Sequence, residues 1–435
     1  MKRRIAVTGL GLVTPSGKGW QAYWKAALEG RSSIRAIQSM ELNGFIPKLA
    51  GEVLDFRPQD YITQRKSIKL MSRDIQIAVA ASCLALSDSH LDMTMIDRDS
   101  FGVCIGAGII NSELDELGMG IRGGIAPDGR FDMAKFGTDG IKALFPLWFL
   151  KYLPNMPACH ISITHGLRGP NNTITTSSAA ALQAIGEASR IIERGDADRM
   201  LAGGTDSKIN ALGLSRLSML GFLSGKNGGA DCYTPFDVSH DGLIPAEGSG
   251  IVVLEEYNLA RQRGAQIYGE IAGFGTSAQN QPLGTEHGFS RFAKERAINH
   301  ALRDAGLSAG DIDAVVADGC GIPQQDIEEA EALQSVFGKS LARVAITSLK
   351  PVTGHTIYAS GGIEIAAALQ MMREDTVPPL LNLRSPASRC SLPFVTGKAV
   401  KRSVRHILLN SFGLGGQNAS IVLKKSAERP AASHV

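Results

Sequence analysis

The sequence predicts an α/β fold with largely buried sheets. Apolar, β-rich runs alternate with helical patterns along the whole chain. Several of those runs stop at a glycine, where the backbone must turn sharply. The pattern also hints at repetition, because "VCIGAG" and "VVADGCG" both read as buried strands finishing in a glycine turn.

In chain order, "RIAVTGLG", "SFGVCIGAG", "ADRMLAGGT", "GIVVLEEY", "AVVADGCG", "RVAITS" and "RHILLNSFG" read as strands. "TITTSSAAALQAIGEASRII" begins as a hydroxyl-rich, β-prone segment. At Ser177-Ser178 it becomes a helix with Ala181, Leu182, Ile185 and Ala188 on one face. A strand ending in Ser-Ser at the mouth of a helix suits a nucleophile, and it equally suits an ordinary helix cap. "FAKERAINHALRDAG" is the clearest helix, with Ala297, Ile298, Ala301, Leu302 and Ala305 on one side and Gly306 as its stop. A first series of strands ends near residue 257 and a second starts soon after. The expected organisation is therefore two halves, 1–257 and 258–425, with a small polar tail over 426–435.

The 435 residues supply ample core for this arrangement. With 44% hydrophobic and 20% charged residues the composition is that of a globular protein. A net charge of +3 argues against a nucleic-acid binder. No apolar run reaches the ~20 residues of a membrane helix, and "MKRRIAVTGLGLVTP" reads as a first strand rather than a leader. Six cysteines without CxxC spacing argue against a zinc site or a disulfide framework and for a reducing cytoplasm. "GLGLVT" lacks the third glycine and following acid of a dinucleotide fingerprint, so no cofactor is expected.

Four segments carry the chemistry: "GLRGPNNTITTSSAAALQAIG"; "TPFDVSHDGLIPAEGSGIVVLEE"; "VADGCGIPQQDIEEAEAL" with "TSLKPVTGHTIYASGGIEIAAAL"; and "LLNSFGLGGQNASIVL". Together, in this order and over nearly the whole chain, they resemble the β-ketoacyl-(acyl carrier protein) synthases, the condensing enzymes of fatty-acid and polyketide synthesis. The resemblance implies a thiolase-type fold: two βαβαβαββ halves in a five-layered αβαβα stack, dimeric, acting as an acyltransferase on acyl carrier protein.

The family uses a Cys nucleophile and two His, and this chain departs from that set. The resemblance places Ser178 at the Cys position and Asp318 at the first His. It keeps the second His as His355, with Lys350 before it and Glu364 on the following helix. A Cys at a helix N-terminus loses its proton near neutrality. A Ser hydroxyl needs an adjacent base, for which His355 is the candidate. An ionised Asp318 only accepts hydrogen bonds, and its charge opposes a malonyl carboxylate and a developing enolate.

Three readings follow. In the first, the chain is a chain-length-factor-like subunit that supports elongation by a catalytic ketosynthase. "ALFPLWFLKYLPNMPACHISITHGLRGP" favours this, because it looks like the aromatic-rich stretch before the nucleophile turn of such subunits. In the second, Ser178, His355 and Asp318 form a Ser–His–acid group for acyl transfer. In the third, the chain is an active condensing variant. A carrier-protein-binding protein without turnover is a further class. Implied by the resemblance are an oxyanion hole from the N–H groups of Ser178 and Leu414, and an acyl pocket or dimer interface at Phe145, Trp148, Phe149, Tyr152, Phe412 and Leu414. Arg65, Lys66 and Lys69 in "QRKSIKLMSR" are either a solvated helix face or a docking patch for acidic acyl carrier protein. Asp318 could also be a plain turn residue before Gly319.

Overall fold

The structure, a computed structural model, describes residues 2–41, 48–279 and 290–426, so the expected tail beyond Ser426 lies outside the described residues. Ten strands build the main sheet. They are β1 Ile5–Thr14, β2 Phe101–Gly106, β3 Asn171–Ile174, β4 Arg199–Asp206, β5 Gly248–Glu256, β6 Gly269–Ala278, β7 Ala314–Val316, β8 Ala345–Thr347, β9 His406–Phe412 and β10 Gln417–Lys424. The principal helices are α1 Arg73–Ser89, α2 Met156–His165, α3 Ala180–Arg194, α4 Arg291–Ala305, α5 Pro323–Phe337 and α6 Ser360–Glu374. Each half therefore reads βαβαβαββ.

The strand order is β3-β2-β4-β5-β1-β6-β10-β9-β7-β8, with Gly17–Lys18 paired to β1. Both halves run third, second, fourth, fifth, first. In each, the first three of those strands are parallel and the last two join antiparallel. Hydrogen bonds between Ile5–Val7 and Gly269–Ile271 join the halves edge to edge. The weak duplication signal in the sequence thus corresponds to a repeated topology.

Helices α1 and α2 cover the outer face of the first half, and α4 and α5 that of the second. Between the sheets lie α3 and α6, which touch each other; α3 meets β4 and β10, and α6 meets β5 and β9. This gives the five layers. The central position explains the sequence of α6. Ser360 through Met372 are all buried, as expected for a helix enclosed on every side. The helix predicted around Ala297–Leu302 is α4, and Gly306 ends it in the left-handed conformation with φ 65°.

The "GLGLVT" glycines have a packing role. β1 runs straight through them, and a Cβ on Gly11 would collide with the Ala81 carbonyl of α1. Gly275 in β6 stands in the same relation to Ala297 of α4. Each outer helix therefore lies directly on the first strand of its half, a close approach that a side chain would forbid. No helix among the described residues is long and apolar enough to cross a membrane.

Candidate functional site

The chain enters the site from β3 through a 3₁₀ turn, Ser177–Ala179, that runs directly into α3. Ser177 is held at φ 54°, a conformation that costs a non-glycine residue energy and persists only where the surroundings impose it. The strain sits immediately before Ser178. The Ser178 side chain is fully buried, and its Oγ has no hydrogen-bond partner among the described residues. Its carbonyl accepts from Ser411 Oγ of β9 at 2.6 Å, which ties the turn to the other half. The cap reading of Ser177 and Ser178 is thereby corrected. The N-cap positions are Thr176 and Ala179, and neither makes a side-chain cap bond.

His355 lies in the loop between Lys350–Thr353 and α6, and the turn that follows it, Ile357–Ala359, packs on the Ser178 turn. The ring is fully buried. Its Nδ1 accepts the backbone N–H of Ile357 at 3.0 Å, while Nε2 is buried without a partner among the described residues. A neutral imidazole with Nδ1 accepting carries its proton on Nε2. Burial, reinforced by the Lys350 charge, pushes the ring well below the ordinary imidazole range. His355 is thus a neutral hydrogen-bond donor, and its accepting nitrogen is already occupied.

Asp318 is also fully buried, at the end of β7. Lys350 Nζ donates to its Oδ1 at 2.8 Å and to its carbonyl at 2.6 Å, and reaches Glu364 Oε1 at 3.0 Å. Gln325 Nε2 donates to Asp318 Oδ2 at 3.1 Å and to the Phe412 carbonyl at 2.8 Å. Behind them, Glu329 accepts the N–H groups of Asp318 and Gly319. Burial alone would lower the Lys350 ammonium, but the Asp318 and Glu364 charges outweigh it and hold it above its usual value. Burial raises Glu364 to about 7 against the opposing pull of Lys350. Burial and the Asp318 charge raise Glu329 to about 7.

This network corrects two expectations. Asp318 does not stand as a bare charge facing the substrate position, because its carboxylate is neutralised by Lys350. Nor is a Ser–His–acid relay assembled, since Asp318 is bonded to Lys350 and Gln325 whereas His355 Nδ1 is bonded to backbone. The plain turn reading of Asp318 also gives way to the buried ion pair. Gln325 and Glu329 were not singled out in the sequence. The available signal was their i, i+4 spacing in "PQQDIEEAEAL", which puts both on one face of α5.

An apolar cavity of about 240 Å³ reaches Ser177 and is walled by Leu217, Phe222, Ile357, Tyr358 and Leu414, with Lys208 and Arg216 at its polar side. Leu414 therefore lines it. Phe412 does not: it is buried in the core of the second half with its ring 5.3 Å from Lys294 Nζ. Cys320 packs beside Leu414, and burial holds its thiol well above the usual range.

The aromatic stretch is divided. Tyr152 is buried and donates to Glu116 Oε2 at 2.6 Å, and Trp148 packs on it at 5.4 Å. Phe145 and Phe149 are exposed, 51% and 61%, and none of the four borders the cavity. Leu114, Met119, Phe131 and Ile141, in the same region of the sequence, are exposed too. Arg65, Lys66 and Lys69 are solvent-exposed on and beside the short helix Arg65–Ile68, with no ion pair among the described residues.

A doubled sheet enclosing two central helices, with a strained turn and a buried His–Lys–Glu set at the helix mouths, defines the thiolase-type class of condensing-enzyme folds. Family models agree: one described as "Beta-ketoacyl synthase, N-terminal domain" matches residues 2–260, and one described as "Beta-ketoacyl synthase, C-terminal domain" matches 268–384. The chain belongs to the β-ketoacyl synthase family. It is 35% identical to 3-oxoacyl-(acyl-carrier-protein) synthase 2 of Synechocystis sp. over 426 residues, 98% of each chain. To the Vibrio harveyi enzyme of that name it is 34% identical, covering 98% of this chain and 100% of the relative. Among solved structures, the ishigamide ketosynthase/chain length factor matches with a TM-score of 0.86 and 27% identity. A type II polyketide ketosynthase in complex with its acyl-carrier protein matches with 0.85 and 28%. In both cases 98% of this chain and 100% of the other are covered.

Proposed function

We propose that this protein is a chain-length-factor-like subunit of acyl-chain assembly, which binds acyl chains carried on acyl carrier protein and supports a catalytic ketosynthase. One observation carries the reading. The nucleophile position holds a buried, unpartnered Ser hydroxyl with no base able to take its proton. Ser178 Oγ makes no hydrogen bond, and the free nitrogen of His355 is a donor. The Ser178 hydroxyl and the His355 Nε2–H are each able to donate to a thioester carbonyl, whereas forming an acyl-enzyme needs proton abstraction. Decarboxylation also lacks its second imidazole, because Asp318 stands at that position and is bonded to Lys350.

The supporting surfaces agree. The exposed Phe145 and Phe149 belong to an apolar face of the kind that marks a protein contact, which we assign to dimerisation with a ketosynthase. The exposed Arg65, Lys66 and Lys69 suit an acidic carrier protein. All six cysteines are free thiols, consistent with a cytoplasmic site of action. We take 1–257 and 258–425 as the two halves.

The test is co-purification with a ketosynthase carrying the intact Cys-His-His set, together with malonyl-carrier-protein turnover by the single chain. Association and no carbon dioxide release are expected. An acyl adduct on the Ser178 peptide that disappears in both Ser178→Ala and His355→Ala would establish serine-dependent acyl transfer instead.

A further inference from the structure

We propose that a second, anion-binding site for a small organic diphosphate lies at the far end of the central helix α6, remote from Ser178. A cavity of about 440 Å³ opens there between the end of β5, the start of β6, the last turn of α6 and the end of β10. Its volume is within the range of small-molecule pockets, ~300–1,000 Å³. Arg261, Arg373 and Lys425 line it, and no carboxylate does. Lys425 shares its charge with Asp375 at 3.1 Å. The Arg261 and Arg373 side chains make no ion pair or hydrogen bond among the described residues, although many arginines of this chain are paired.

Two uncompensated guanidinium groups and one shared ammonium suit a ligand of two or three negative charges, and guanidinium recognises phosphate oxygens in pairs. The remaining wall includes Tyr257, Ala265, Ile267 and Tyr268, with Gln266 and Ser426 as its polar members. That wall and the volume exceed what inorganic phosphate uses, and they favour a diphosphate with an organic body. The wall is rigid: Tyr268 donates its hydroxyl to Asp88 at 2.9 Å, and the Tyr257 ring is covered by Arg4 at 3.6 Å. The site is separate from the acyl cavity. Arg373 stands thirteen residues beyond Ser360 along α6, about 20 Å at 1.5 Å per residue.

The experiment is calorimetric titration of the full chain with adenosine diphosphate, with pyrophosphate as the comparison, at two salt concentrations. Binding of adenosine diphosphate in the micromolar range, weakened by added salt and at least about tenfold tighter than pyrophosphate, is expected. The double variant Arg261→Ala, Arg373→Ala should weaken it at least about tenfold with an unchanged thermal midpoint, since both side chains are exposed. A chain ending at Ser426 should bind as the full chain does. Absence of binding at about 1 mM, affinity unchanged in the double variant, or equal affinity for pyrophosphate would overturn the proposal. So would binding at least about tenfold tighter in the shortened chain, because the tail would then be the natural occupant.

Discussion

Replacing Lys350 by Met is the sharpest probe of the buried network. Lys350 Nζ holds Asp318 Oδ1, the Asp318 carbonyl and Glu364 Oε1 at 2.8, 2.6 and 3.0 Å, and the Lys294 charge also acts on Asp318. Met preserves the apolar stem and deletes the charge, leaving two buried carboxylates without that partner. Breaking a buried pair from one side costs about 3–5 kcal/mol. Glu364, already raised to about 7 by burial, relieves part of this by taking up a proton. Unfolding entropy of ~2.1 cal/mol/K per residue gives ~0.9 kcal/mol/K for a chain of this length, so the thermal midpoint should fall by about 3–6 °C. Asp318→Asn is the control. It removes one charge, leaves Lys350 paired with Glu364, and should cost only about 1–2 kcal/mol, or ~1–2 °C. The assay is differential scanning calorimetry of both variants beside the parent at pH 7.5. If Asp318→Asn destabilises as much as Lys350→Met, Asp318 is not the dependent partner and the description of the network fails.

Three further outcomes are expected. Ser178→Ala should leave the thermal midpoint unchanged or slightly raised, because its Oγ has no partner; a loss of about 1 kcal/mol in denaturant unfolding would instead indicate a helix cap. Glu364 and Glu329 have folded values raised to about 7 from an ordinary 4.5, so the folded state binds more protons in that window. Stability from these groups is therefore greatest below about 4.5 and is lost as pH rises to about 7. Unfolding measured from pH 5 to 8 should show that slope, and Glu364→Gln should flatten it. Phe149→Asp should abolish dimerisation or ketosynthase association in sedimentation without lowering the thermal midpoint, since Phe149 is 61% exposed; unchanged association would remove this face from the interface.

Much of the fold was legible in the sequence because its signals are local. Alternation of strand and helix, the glycine punctuation and the stop at Gly306 each depend on neighbours a few residues away. The quoted strands appear where the sequence places them, and the α3 face of Ala181, Leu182, Ile185 and Ala188 is buried. The structure packs the Ser178 turn on the turn that follows His355 and joins Lys350 to Asp318. Tertiary structure decided what those side chains do. Whether Ser178 caps a helix depends on the turn geometry at Thr176–Ala179. Which His355 nitrogen is free depends on the Ile357 N–H. Asp318 is a partner of Lys350 rather than an exposed charge because β7, α5 and the Lys350 helix converge there, 32 residues apart in sequence. Tyr152 and Phe149, alike in the aromatic stretch, part in the fold: Tyr152 is buried and bonded to Glu116, and Phe149 is exposed. Protonation, hydrogen-bond role and exposure are set by atoms distant in sequence, through burial and directional contacts that residue types and spacing do not encode.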